Sequence, residues 1–72
     1  MDNMKLITAA WCGPCKLLKA QLEAEGLTVE TVDADSNLEW CQKMGVKAVP
    51  TLIVGDELVT SDILQTIKKE KA

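Results

Sequence analysis

Two thiols stand close together in the stretch AAWCGPCKLL: Cys12 and Cys15, separated by Gly13 and Pro14. Side chains of this type at this spacing have three chemistries open to them. They can hold part of a metal site, form a structural staple, or exchange electrons with a disulfide of another protein. A zinc site needs two further ligands, and with no histidine in the chain only Cys41 and carboxylates remain to supply them. The absence of histidine also excludes Cys/His and Ser/His catalysis. An odd total of three cysteines fits poorly with a secreted disulfide framework.

The position of the pair favours thiol exchange. A mostly apolar run, Met4 to Ala9, precedes it and suits a strand buried on both faces. After it, Leu18 and Leu22 follow Cys15 at helical spacing. Cys12 therefore falls at the N-terminal end of a helix, where unpaired backbone N–H groups and the helix dipole stabilise a thiolate. The thiolate is the nucleophile of disulfide exchange. Cys15 lies one turn further on, within reach of a mixed disulfide formed at Cys12. Pro14 suits the first turn, which needs no N–H from it, and Gly13 permits close approach of a partner.

The remaining elements read in order. Gly26 ends the first helix. Leu27 to Asp35 is a second strand, running into a polar loop. Ser36 or Asn37 caps a short helix over Leu38 to Met44, closed by Gly45. Thr51 to Val54 and Glu57 to Thr60 are strands of a hairpin turning at Gly55-Asp56. Thr60 or Ser61 caps a last helix from Asp62 to about Lys71, with Ile63, Leu64 and Ile67 as its apolar stripe. Lys68, Lys69 and Lys71 form its solvated, cationic C-terminal end. The order β-α-β-α-β-β-α predicts a parallel pair joined by a right-handed crossover, then an antiparallel pair. The result is an α/β chain with a mixed four-stranded sheet flanked by three helices.

Composition narrows the function. Seventy-two residues, 47% hydrophobic and 26% charged, make one domain over residues 1–72, near the lower size limit for an independent core. The net charge is −3 and every basic residue is lysine, which argues against nucleic-acid binding. The N-terminus has an acid at position 2 and no long apolar stretch, so neither a secretory signal nor a membrane span is expected, and the cytoplasm is the expected location.

Trp11-Cys12-Gly13-Pro14-Cys15 resembles the active-site motif of thioredoxins, and Ala48-Val49-Pro50-Thr51 resembles the loop in which that superfamily places a cis-proline facing the dithiol. The resemblance covers essentially the whole chain. It implies a minimal thioredoxin fold and a redox-active Cys12–Cys15 disulfide, with no bound cofactor and no metal. Cys12 corresponds to the attacking cysteine and Cys15 to the resolving one. Pro50 corresponds to the cis-proline. Val49 is the residue whose backbone pairs with the substrate, beside Thr51, and Trp11 and Gly13 belong to the docking surface. The implied partners are disulfide-containing proteins and a thioredoxin reductase-type electron donor, with the chain acting as a monomer. The Gly-Pro pair points to a reductase rather than an oxidant.

The chain also departs from the thioredoxin pattern. With ten residues before Trp11, its size and element order are those of a glutaredoxin. Leu6 stands where thioredoxins keep a buried aspartate that assists proton transfer from the resolving cysteine, and Thr31 replaces the accompanying lysine. Water, or a nearby group such as Asp33 or Asp35, must then take the Cys15 proton. The glutathione-pocket positions of glutaredoxins hold Ala9 and Val59-Thr60, with Asp62 a candidate for the acidic residue there. Two alternatives accompany the reductase reading. One is a glutathione-dependent glutaredoxin, or a glutaredoxin-like hydrogen donor for ribonucleotide reductase. The other is a non-catalytic binding subunit. Cys41 reads as a small buried helix residue rather than a regulatory thiol, and Trp40 is assigned no role.

Overall fold

The computed structural model describes residues 3–71; Met1, Asp2 and Ala72, and with them the acid noted at position 2, lie outside that range. The chain runs β1 (Met4–Thr8), α1 (Gly13–Ala24), β2 (Glu30–Asp33), α2 (Leu38–Met44), β3 (Thr51–Val54), β4 (Glu57–Val59) and α3 (Ile63–Lys71). The strands form one mixed sheet in the order β2-β1-β3-β4. β1 pairs parallel to β2 and antiparallel to β3, and β3 pairs antiparallel to β4. This is the mixed four-stranded sheet expected from the element order, and it fits the minimal thioredoxin fold that the resemblance implies.

Alternation along the central strands divides the interior into two layers. On one face Met4, Leu6 and Leu52 meet Leu18 and Leu22 of α1 and Ile63 and Ile67 of α3. On the other, Ile7 and Ile53 meet the buried Cys41 of α2, with half-buried Trp40, Met44 and Val46 packed around them. Full burial of a Leu or Ile side chain is worth about 1.5–3 kcal/mol, so the α1/α3 layer dominates stability. A 2.7 Å ion pair between Lys68 and Glu25 ties α3 to the end of α1.

Two helices close in the same way. Gly26, at φ +66°, lets the amide of Leu27 reach the carbonyl of Leu22 at 2.9 Å. Gly45, at φ +84°, lets the amide of Val46 reach the carbonyl of Cys41 at 2.8 Å. In each case the residue after the glycine packs into the cluster its helix serves, as expected of a Schellman closure.

Several boundaries differ from the sequence reading. β2 is shorter, beginning at Glu30, because the Leu27 amide is spent on closing α1 while Leu27 and Val29 pack on the α1/α3 core. β1 is not buried on both faces throughout: Lys5 is exposed, 3.9 Å from Glu30 and 5.6 Å from the centre of the Trp40 ring. Asn37 occupies the N-cap of α2 without a side-chain cap bond, its amide donating instead to the Asp33 carbonyl at 2.8 Å. Neither Thr60 nor Ser61 begins α3. The Asp62 carbonyl, on a residue at φ +52°, accepts from both the amide and the hydroxyl of Thr66 at 2.9 Å. β4 stops at Val59, one residue short of Thr60.

Candidate active site

β1 delivers the chain to the site and α1 carries it away. At their junction the Cys12 amide donates to the Ala9 carbonyl at 3.1 Å, and the Cys12 carbonyl accepts from Lys16 at 3.2 Å. Cys12 is the N-cap of α1, with Pro14 in the first turn. Its sulfur takes the part a serine or aspartate oxygen plays at other helix starts, accepting from the Cys15 amide at 3.2 Å. Cys12 and Cys15 are joined as a disulfide, with their Cα atoms 5.2 Å apart.

The sulfurs sit in a small apolar pocket of their own. Cys12 is 4% exposed and Cys15 1%, and they cluster with buried Ala9 and half-buried Val49. Val49 arrives on the loop before β3, where the Val49–Pro50 bond is cis and the Thr51 hydroxyl donates to the Ala48 carbonyl at 2.6 Å. The fold thus brings together the two segments read separately in the sequence. Around the sulfurs the surface is formed by exposed Gly13, Pro14 and Trp11, the last 70% exposed. A Cβ built on Gly13 meets no atom within 4 Å. The fold itself does not require glycine there.

The acidic residues are engaged elsewhere. Asp35 accepts from the Trp11 indole N–H at 3.0 Å. Asp33 accepts from the Ser36 hydroxyl at 2.7 Å. Among the described residues neither carboxylate is hydrogen-bonded to Cys15. Leu6 is fully buried in the α1/α3 core, and Thr31 is exposed. At the other positions compared, Val59 is half-buried and Thr60 and Asp62 are exposed.

The third thiol belongs to a different environment. Cys41 is 5% exposed and lies between Ile7 and Ile53. Burial pushes its pKa up from the ordinary 9.0, and the negative charge of Asp33 adds to the rise. A thiol held protonated is a poor nucleophile, which agrees with the reading of Cys41 as a packing residue. Among the described residues no group of three or more His, Cys, Asp or Glu is arranged to hold a metal ion.

A feature the sequence did not disclose adjoins the disulfide. An open cavity of about 270 Å³ runs from Trp11 and Asp35 past Leu38 to Val46, Lys47 and Val49. Leu38 is 60% exposed at its rim. Helical periodicity marks Leu38 only as an apolar residue at a helix start; the groove exists because α2 and the Val49 loop meet beside the dithiol.

The thioredoxin family model matches residues 4–71. The chain belongs to the thioredoxin family. Among its relatives, the thioredoxin of Bacillus subtilis (strain 168) is 40% identical over 52 residues, covering 64% of this chain and 50% of the relative. The thioredoxin of Listeria monocytogenes is 32% identical over 65 residues, covering 82% of this chain and 60% of the relative. The chain spans about half the length of the first of these thioredoxins. Solved structures confirm the fold. The thioredoxin-like protein BC3987 superposes with a TM-score of 0.69 at 17% identity, covering 92% of this chain and 96% of that one. Thioredoxin 1 of Thermosipho africanus gives a TM-score of 0.70 at 18% identity, covering 94% and 89%. No helix among the described residues is long and apolar enough to cross a membrane.

Proposed function

We propose that this thioredoxin-family chain is a dithiol–disulfide oxidoreductase that reduces disulfides in other proteins. The observation that carries the reading is the Cys12–Cys15 disulfide at the start of α1, with the Cys15 amide aimed at the Cys12 sulfur. In the reduced protein the same amide and the positive end of the helix dipole favour a Cys12 thiolate.

The cycle balances as follows. The Cys12 thiolate attacks one sulfur of the partner's disulfide, and the other sulfur leaves as a thiolate. The Cys15 thiol gives up its proton and attacks the Cys12 sulfur. The Cys12–Cys15 disulfide forms, and the partner's second sulfur departs. Two electrons pass to the partner, whose two thiolates take up two protons. A thioredoxin reductase-type dithiol donor returns the electrons. In this reading Trp11, Gly13, Val49, Pro50 and Thr51 receive the partner's chain, Pro14 starts the helix, and residues 1–72 act as a single monomeric domain in the cytoplasm.

The test is insulin disulfide reduction with two donor systems in parallel: NADPH with thioredoxin reductase, and NADPH with glutathione and glutathione reductase. Turnover with the first supports the proposal. Turnover only with the second moves the protein to glutathione-dependent chemistry. Inactivity even with dithiothreitol overturns the enzyme reading in favour of a binding subunit.

A further inference from the structure

β2 is an outer strand of the sheet. β1 lies on one side of it, and among the described residues no strand lies on the other. Its backbone groups alternate in direction, as in any strand. The Ala34 amide just beyond it bonds inward, to the Thr8 carbonyl at 2.8 Å. By that alternation Glu30 and Val32 turn their amides and carbonyls toward β1, and Thr31 turns its own outward. Thr31 is also exposed.

Consecutive strand residues open onto opposite faces, and each face is hollow beside this edge. Glu30 stands next to Lys5, and Lys5 next to Ile53, in one row across the sheet. That row floors an open cavity of about 670 Å³ walled by Trp40 and Met44 of α2. Thr31 stands next to Leu6 on the opposite face. There it borders a second cavity, of about 270 Å³, with Leu22, Leu27 and Val29. Neither cavity is lined by Cys12, Cys15 or the Val49 loop.

The surroundings are acidic. Glu30 and Asp33 are exposed on the strand, Asp56 lines the larger cavity and Glu23 the smaller. Two ammonium groups, Lys5 and Lys19, oppose these four carboxylates. Lys5 is already engaged, 3.9 Å from Glu30 and 5.6 Å from the centre of the Trp40 ring.

We propose that the outer side of β2 is a strand-addition site for an extended, basic segment of another protein. The added backbone pairs with Thr31. Its successive side chains point to opposite faces, so one enters the cavity at Glu30 and the next the cavity at Thr31. The apolar walls receive aliphatic groups. The excess of carboxylates selects a chain with lysine or arginine at alternate positions, since opposite charges across a strand pair stabilise it. Strand addition takes affinity from main-chain bonds and specificity from the pockets on either side. The site is separate from the dithiol and does not depend on the oxidoreductase reading.

The probe is a blocked peptide of about eight residues alternating valine and lysine, a length typical of strands. It is titrated into the isotopically labelled, oxidised protein. Backbone amide shifts locate it, and hydrogen exchange reads the Thr31 amide. Saturable shifts confined to β2 and the two cavities are expected, with a Kd below about 1 mM, together with slowed exchange at Thr31. A peptide with proline at its central positions, or with glutamate for lysine, is expected to bind at least about tenfold more weakly. Thr31→Pro removes the outward amide and should weaken the valine–lysine peptide by a similar factor. Asp56→Lys, on the hairpin turn, should weaken it by about two- to fivefold and leaves β2 untouched should Thr31→Pro fail to fold.

Three results would overturn the proposal. Shifts centred on Cys12 and Val49 would place the peptide at the dithiol. Equal binding of the proline peptide, or no saturation, would exclude strand pairing. Shifts of β2 that follow protein concentration with no peptide present would make a second copy of the chain the occupant.

Discussion

The amide of Cys15 points at the sulfur of Cys12 across 3.2 Å, one turn into the same helix. In the proposed cycle the residue that resolves the mixed disulfide is thus also the one whose backbone steadies the attacking sulfur. Substituting the Cys15 side chain leaves that amide in place, so attack and resolution are separable.

Cys15→Ser is expected to react once and stop. Cys12 still forms the mixed disulfide, but release must await an external thiol. An oriented internal thiol is worth many orders of magnitude in effective concentration, so turnover should fall by at least about a hundredfold. A covalent adduct of insulin chains with Cys12 should accumulate on non-reducing gels. Fast turnover without an adduct would exclude Cys15 as the resolving residue.

Cys41 makes alkaline stability a readout of its burial. Burial, and then the charge of Asp33, raise its pKa in the folded state above the ordinary 9.0. As pH rises the unfolded chain gives up this proton first. The native state then binds more protons, and stability falls. The contribution is full below about pH 9 and is lost as pH climbs through the folded-state value. Cys41→Ala should cost about 1 kcal/mol at pH 7 for the deleted buried group, and that deficit should narrow at pH 10. Urea unfolding of both oxidised proteins at the two pH values checks this. A constant deficit would contradict it.

Leu6 is expected to be a stability residue in this chain. It is fully buried against α1 and α3. Leu6→Ala should cost about 2–5 kcal/mol. Leu6→Asp, which restores the residue type thioredoxins keep at this position, should cost more at pH 7 because it also buries an unpaired carboxylate. Denaturant midpoints of the two variants decide the order.

Gly45→Ala tests conformation apart from space. The new Cβ would lie 3.6 Å from Leu58 Cδ1, an ordinary contact, while φ stays at +84°. The expected cost is about 1–2 kcal/mol, from the left-handed backbone alone. In a domain of this size that lowers Tm by about 4–8 °C per kcal/mol. An unchanged melting curve would mean that the turn rearranges.

What was legible in the sequence was what local chemistry decides. Gly26 and Gly45 announced two helix ends, Cys15, Leu18 and Leu22 a buried helix stripe, and Gly55-Asp56 a hairpin. Each of these depends on neighbours a few positions away. The misread boundaries needed knowledge of where a backbone group is spent. Leu27 looked like strand, yet its amide closes the helix before it. Lys5 sits in an apolar run, but its neighbours are Glu30 on the adjacent strand and Trp40 from α2, which no periodicity reveals. At the candidate site, the closeness of Cys12 and Cys15 was readable from their spacing. The bond between Trp11 and Asp35 was not, because it exists only once β1 and β2 lie side by side.

The four residues of β2 form one open edge of the sheet, and Glu30, Thr31 and Asp33 are all exposed there. An edge strand invites another chain to add to it. Two copies of this strand laid antiparallel in symmetric register would set Glu30 of each against Asp33 of the other, carboxylate facing carboxylate. Like charges directly opposite each other destabilise such a pair. The strand thus carries, at its two ends, its own deterrent against fibril-like stacking.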